Sequence, residues 1–233
     1  MNIKKYIPNI LTLLNLFCGC IAIVFTAGRN FEIAFWMVAL GIFFDFFDGF
    51  FARKFGVAGP LGVQLDSLAD MVTSGVVPGL AVFQMLAHYF VFSNSNFKFI
   101  AFLGFSITLG ACYRLAKFNI DTRQSDSFIG LPTPANTLFI MSLPLINHSF
   151  LLPIIQNQWF LITISFISAY IMNAEIPLFS LKIKNFSFQK YKLQIGFLIA
   201  SIAMLVTLQF LAIPLIIITY VLLSVANNLM VKN

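Results

Sequence analysis

Residues 45–70 read DFFDGFFARKFGVAGPLGVQLDSLAD. The whole chain has eight acidic residues, and four of them, Asp45, Asp48, Asp66 and Asp70, lie in this stretch. Asp45 and Asp48 are three positions apart, and Asp66 and Asp70 four apart, so on helices each pair shares one face. Gly41 and Ala52 continue the first face, and Thr73 and Ser74 the second. Between the pairs stand Gly56, Gly59, Pro60 and Gly62, a turn signal. The expected local fold is therefore a helical hairpin with its two acidic faces opposed.

The surroundings of the hairpin decide its solvent. Of the 233 residues, 60% are hydrophobic and 9% are charged, and the mean hydropathy is +0.93. An ordinary soluble domain carries about 25% charged residues, so lipid must cover much of this exterior. Intrinsic disorder is excluded by the same composition. The reading is an all-α integral membrane protein. Residues 6–28, 31–53, 71–97 and 99–113 with its flanks are each predicted to cross once. The uncharged runs 127–174 and 193–231 are long enough for two helices each, at about 20 residues per crossing. The first run would hinge near Pro144, Asn147 and His148, and the second would turn near Gln209 to Pro214. About eight transmembrane helices result.

If the amino terminus is inside, twelve of the fourteen Lys and Arg residues fall at the cytoplasmic side and only Arg29 and Lys98 face out. The net charge of +6 then marks membrane orientation rather than nucleic-acid binding. Lys54 and Lys117 are expected at lipid headgroups, and Glu175 at the interface. Cys18, Cys20 and Cys112 lie in apolar stretches without metal or disulfide spacing, and are expected to be small buried hydrophobes.

Carboxylates inside a membrane helix are costly, about 2.5–3.5 kcal/mol each on insertion scales. Acids without matching bases call for cations, and hard oxygen ligands suit Mg²⁺ or Mn²⁺. Two such ions can clamp a phosphate during displacement. Gly49 would let a ligand approach the backbone, and Arg53 can fork onto phosphate oxygens. An ion pathway through a transporter uses the same residue types, and spacing alone leaves both readings open. Arg114, a cation inside a span, reads as an anion clamp or as a snorkelling interfacial residue. Asn119 reads as a helix cap or as part of the same site.

The pattern Asp45-x2-Asp48-Gly49-x2-Ala52-Arg53-x8-Gly62-x3-Asp66-x3-Asp70 resembles the signature of the CDP-alcohol phosphatidyltransferases. PNILTLLNLFCG (8–19), LDSLADMVTSGVVP (65–78), YRLAKFN (113–119), IGLPTPAN (129–136) and IPLFSLK (176–182) are similar to the branch of that family acting on serine. The resemblance covers roughly residues 6–182. Lys117, Gly59 and Asn136 depart from it, where Arg, a hydroxyl residue and a small residue are usual.

The resemblance implies a six-helix core plus two carboxy-terminal helices. Residues 1–176 would be the catalytic core, 177–192 a basic cytoplasmic loop, and 193–233 a helical hairpin, all in one membrane domain. It implies transfer of a phosphatidyl group from CDP-diacylglycerol to L-serine, with release of CMP. Asp45, Asp48 and Asp66 would bind one divalent ion, Asp70 would join a second and act as general base, and Asn9, Thr12, Gly49, Arg53 and Gly62 would line the nucleotide site. Arg114 and Asn119 would bind serine. A homodimer in the cell membrane, with both termini and the active site cytoplasmic, completes the expectation. Sister enzymes of the family use glycerol 3-phosphate or an inositol phosphate as acceptor.

Overall fold

The computed structural model describes residues 4, 6–92, 98–121, 129–179 and 192–232. The first two helices, α1 (Ile7–Ala27) and α2 (Phe31–Phe55), form a close pair. Asn30 caps α2 by accepting the amide hydrogen of Ile33 at 3.3 Å. At its other end α2 is stopped by Gly56, whose φ of 65° lies in the left-handed region that a side chain disfavours. Pro60 then opens α3 (Pro60–Asp70), with its fixed φ suited to a first helical position. The hairpin expected from the glycines and Pro60 is thus formed.

The crossing expected over 71–97 begins earlier, at Pro60, and includes the second acidic pair. It runs from α3 through a π-helical turn (Met71–Val76) into α4 (Val77–Phe92), so Asp66 and Asp70 belong to the same rod as the apolar span. The π turn leaves backbone carbonyls to be matched from outside the rod. The hydroxyl of Thr108 donates to the Gly75 carbonyl at 2.9 Å, and that of Thr137 to the Ser74 carbonyl at 2.8 Å. Without water in the hydrocarbon region, such partners are what make the irregular turn tolerable.

A 3₁₀ segment (Lys98–Phe105) leads into α5 (Ser106–Ile120). Next come α6 (Thr133–Ser142), the single turn α7 (Leu152–Ile155), and α8 (Gln158–Asn173). The last pair, α9 (Lys192–Leu208) and α10 (Ala212–Lys232), turns at Gln209–Leu211, as the polar and proline residues there imply. Gly130, before α6, has a φ of 75°, and a Cβ there would lie 2.5 Å from the Met172 carbonyl oxygen, so the loop and α8 meet through this glycine.

Among the described residues, five stretches are long and apolar enough to cross a membrane: Ile7–Ala27, Phe31–Phe55, Pro60–Tyr89, Phe99–Ile120 and Gln194–Met230. The sequence reading counts eight. The difference lies in α6 and α8, each under 18 residues, and in α9 and α10, which double back at Gln209–Leu211 so that Phe197 meets Tyr220 but together make up one of the five stretches. Many large apolar side chains point outward, among them Val24 at 69%, Leu109 at 72% and Val206 at 78% exposure. Lipid is the solvent that suits them, and the chain is a multi-pass membrane protein.

Inside, α6 is central and touches α2, α4, α5, α8 and α10. Val82, Leu86, Ile107, Ile140, Leu161 and Met172 form one buried cluster, and Ala22, Phe35, Val38, Val77 and Met141 another. Cys18 is buried as expected, but Cys20 and Cys112 are exposed, so they face the lipid side of their helices rather than the core. The bulk of the basic loop 177–192, with Lys182, Lys184 and Lys190, lies outside the described residues, as do Lys5, Arg123 and Asp126.

Close helix contacts lie beside the acidic pairs. A Cβ on Gly41 would fall 2.8 Å from Asn15 Oδ1 and 3.0 Å from Thr73 Cγ2. Gly41→Val is therefore expected to lower stability by about 1–3 kcal/mol through overpacking, seen as a lower Tm of the purified protein in detergent. An unchanged Tm would show that α1 and α2 can separate there at no cost.

Candidate active site

Two helices bring the acidic residues together. Asp45 and Asp48 come from the last turns of α2, and Asp66 and Asp70 from α3, on the two sides of the Gly56–Pro60 turn. One carboxylate oxygen from each of Asp45, Asp48 and Asp66 lies within 4.8 Å of the others, a grouping that can hold a metal ion. Asp66 Oδ1 is buried and has no hydrogen-bond partner among the described residues. A buried anionic oxygen with no donor is costly, and a hard divalent cation is the ligand that such a donor set fits.

Asp70 stands apart from this trio. It is 8% exposed, and its Oδ1 accepts a hydrogen bond from Asn15 Nδ2 at 3.1 Å. Asp48 Oδ2 likewise accepts from the Thr12 hydroxyl at 2.5 Å. Both partners belong to α1, whose buried face runs Pro8, Thr12, Asn15, Gly19, Ala22 and Thr26 at helical spacing. The Thr73 hydroxyl in turn donates to the Asn15 carbonyl at 3.1 Å and ties the π turn to α1. Thr12, one of the residues expected to line the nucleotide site, thus donates to one of the aspartates of that site. Asn15 was not singled out by the sequence reading, although a polar residue three positions from Thr12 on an otherwise apolar span is a usable signal.

The glycines of the signature have separate tasks. A Cβ on Gly49 would lie 3.3 Å from Arg53 Nη1, so the guanidinium one turn later lies close beside Gly49. A Cβ on Gly62 would face Asn9 Oδ1 at 3.8 Å, so these two expected nucleotide residues adjoin each other. Gly59 caps α3 in an extended conformation, with open space around it.

Arg114 and Asn119 lie on α5 at the same end of the bundle. Arg114 is 5% exposed. Its Nε donates to the Leu131 carbonyl at 2.9 Å, and its guanidinium sits over the Phe118 ring at 5.8 Å. Asn119 Nδ2 donates to the hydroxyl of Ser67, the neighbour of Asp66, at 2.8 Å. Asn119 therefore joins α5 to α3 beside the metal-type cluster rather than capping α5. Lys117 does not stand free for headgroups: its Nζ forms an ion pair with Glu175 at 2.7 Å. That pair bridges α5 to the segment after α8, where an isolated charge would be left at the membrane edge.

Taken together, the end of the bundle holds a trio of oxygen ligands, a separate buried carboxylate fixed by an amide, and a buried guanidinium. This arrangement can bind a cation-neutralised phosphate and accept a proton from an attacking hydroxyl. The family model for CDP-alcohol phosphatidyltransferase matches residues 5–171. A CDP-diacylglycerol–serine O-phosphatidyltransferase of Bacillus subtilis (strain 168) is 34% identical over 152 residues, which cover 64% of this chain and 81% of that protein. One of Helicobacter pylori (strain ATCC 700392 / 26695) is 33% identical over 145 residues, covering 61% of this chain and 59% of the relative. The archaetidylserine synthase of Methanothermobacter thermautotrophicus (strain ATCC 29096 / DSM 1053 / JCM 10044 / NBRC 100330 / Delta H) is 31% identical over 151 residues, 61% of each chain. The matched part of this chain thus spans about three-fifths of the last two relatives and four-fifths of the first.

Proposed function

The chain belongs to the CDP-alcohol phosphatidyltransferase family, and from that premise we propose that it transfers the phosphatidyl group of CDP-diacylglycerol to the hydroxyl of L-serine, yielding phosphatidylserine and CMP. The observation that carries the reaction type is the convergence of Asp45, Asp48 and Asp66 on one point. The choice of serine rests on the names of the relatives.

Asp45, Asp48 and Asp66 would hold a divalent ion, Mg²⁺ or Mn²⁺, with Asp70 contributing where a second is bound. When bound, the ion supplies charge neutralisation at the pyrophosphate of the donor. Thr12 orients Asp48 for this task. Arg53, seated over Gly49, would fork onto phosphate oxygens of the cytidine diphosphate, and Asn9 and Gly62 would flank the nucleotide. The serine oxygen forms a bond to the phosphorus that bears the diacylglycerol, the bond from that phosphorus to the CMP oxygen breaks, and the hydroxyl proton passes to Asp70. Asn15 keeps one Asp70 oxygen engaged, so the carboxylate is held in place for the second to take the proton. The chain's contribution is mostly positioning and fixed charge.

Arg114 would bind the serine carboxylate, and Asn119 would place the Ser67–Asn119 bridge beside it. Arg114→Lys keeps the charge and loses the planar fork. It is expected to raise the KM for serine about tenfold, or ~1.4 kcal/mol, and to leave the KM for CDP-diacylglycerol unchanged. Equal KM values for serine in both proteins would remove Arg114 from the serine site.

The site would face the cytoplasm of the cell membrane, with both termini on that side, as the distribution of Lys and Arg supports. Residues 1–176 would be the catalytic core, with the carboxy-terminal hairpin added to it, and two copies would form a homodimer. The acceptor is tested by CMP release from CDP-diacylglycerol with serine, glycerol 3-phosphate or inositol phosphate. Serine alone should support it; release with a phosphorylated acceptor and none with serine would assign the chain to a sister activity.

A further inference from the structure

Tyr220, Ser224 and Asn228 follow one another at four-residue spacing along α10, so they share one face of that helix. Polar side chains on so apolar a helix are costly unless each finds a partner. All three find one in the backbone of residues 177–179. The Tyr220 hydroxyl donates to the Phe179 carbonyl at 2.8 Å. The Ser224 hydroxyl oxygen accepts the Phe179 amide hydrogen at 3.3 Å, and Asn228 Nδ2 donates to the Pro177 carbonyl at 2.6 Å. The Phe179 and Tyr220 rings meet edge to face at 4.8 Å, and Leu178 and Phe179 are buried. The segment after α8 is therefore strapped along α10.

The same segment is joined to the loop before α6. Ile129 and Pro177 pair as an antiparallel bridge, and the Gly130 amide donates to the Ile176 carbonyl at 2.9 Å. Leu131 follows directly. Its amide donates to the Ile171 carbonyl at 3.1 Å, and its carbonyl accepts from Arg114 Nε at 2.9 Å. A line of hydrogen bonds thus runs from α10 through 177–179 and 129–131 to the buried guanidinium. Holding Arg114 at Nε fixes the plane of its fork, and a fork grips a carboxylate with two bonds only in that plane. The Lys117–Glu175 ion pair ties the segment to α5 in parallel, so loss of one tie to α10 loosens the line without releasing it.

We propose that Tyr220, Ser224 and Asn228 are positioning residues for the acceptor site. They fix 177–179, that segment fixes 129–131, and the Leu131 carbonyl sets the plane in which Arg114 receives the serine carboxylate. The inference rests on the reading of Arg114 as the residue that binds serine. It gives α10, which lies beyond the residues matched by the family model, a task in the reaction: it sets the affinity for the acceptor without touching it.

The test is the dependence of turnover on serine and on CDP-diacylglycerol in Tyr220→Phe/Asn228→Ala, with and without Arg114→Lys. Tyr220→Phe keeps the ring contact and removes the hydroxyl. The double variant should raise the KM for serine about fivefold, the scale of one lost hydrogen bond. The KM for CDP-diacylglycerol, kcat and the Mn²⁺-dependent rise in Tm should stay as in the wild type. A general loss of stability would not divide the two KM values in this way. On top of Arg114→Lys the same pair of substitutions should add little, because they act through the guanidinium, whereas independent sites add in full. Hydrogen–deuterium exchange gives a reading that needs no substrate: the Gly130 and Leu131 amides should exchange several-fold faster in the double variant, with α4 unchanged. Asn228→Ala alone should move both readings in the same direction by less, and it serves if the double variant does not fold. Unchanged exchange, a full additive rise on top of Arg114→Lys, or an unchanged KM for serine where Arg114→Lys raises it would overturn the proposal. An unchanged KM for serine in Arg114→Lys itself would instead remove Arg114 from the serine site, and this task of α10 with it.

Discussion

Asp66→Asn is expected to reduce CMP release by about a hundred- to a thousandfold, the usual cost of removing one group from a preorganised charge-stabilising site. Asp66 provides the link between the two arms of the hairpin, since Asp45 and Asp48 come from α2 alone. Its Oδ1 is buried with no donor among the described residues. The substitution keeps the size of the side chain and removes one of three negative charges crowded together, so the protein without divalent ions should become no less stable, and the folded variant can be assayed. The stabilisation gained from Mn²⁺ should shrink with it, because an ion that binds only the folded state raises Tm by mass action. Normal turnover in Asp66→Asn, with an undiminished Mn²⁺ shift, would show that the trio is not the ion site.

Asp70→Asn is the second large effect. General-base catalysis contributes about 10²–10⁴-fold, and a loss in that range is expected in kcat for serine. The Mn²⁺-dependent rise in Tm should persist, since Asp70 lies outside the trio. That combination separates a proton acceptor from an ion ligand. Asn15→Leu removes the amide that fixes Asp70 Oδ1, and is expected to lower kcat less than Asp70→Asn does, with the same retained Mn²⁺ response. Loss of the Mn²⁺ response in Asp70→Asn would instead place Asp70 among the ligands of the first ion.

The aspartate spacing already contains the hairpin, because i,i+3 and i,i+4 pairs on either side of a Gly–Pro turn leave few other ways to bury four carboxylates. What it does not contain is the π turn after Asp70. No residue type in MVTSGV demands a wider turn; the demand comes from Thr108 and Thr137 on other helices, whose hydroxyls take the Gly75 and Ser74 carbonyls. The partners supplied by α1 were half legible. Thr12 and Asn15 stand out as polar residues in an apolar span, but which aspartate each one meets depends on the close crossing at Gly41. That the Arg53 guanidinium lies beside Gly49 is likewise not visible in the spacing. Lys117 looked like a headgroup cation because Glu175, its partner, is 58 residues away. The shortness of α6, between Pro132 and the 3₁₀ turn at Leu143–Leu145, is likewise hidden inside a long uncharged run.

The most direct test of the account is a divalent titration of the purified, chelator-treated protein with CDP-diacylglycerol and serine, following CMP and phosphatidylserine together. The account predicts no product in chelator, recovery on adding Mg²⁺ or Mn²⁺, and one phosphatidylserine formed per CMP. Full serine-dependent turnover in excess chelator would contradict it.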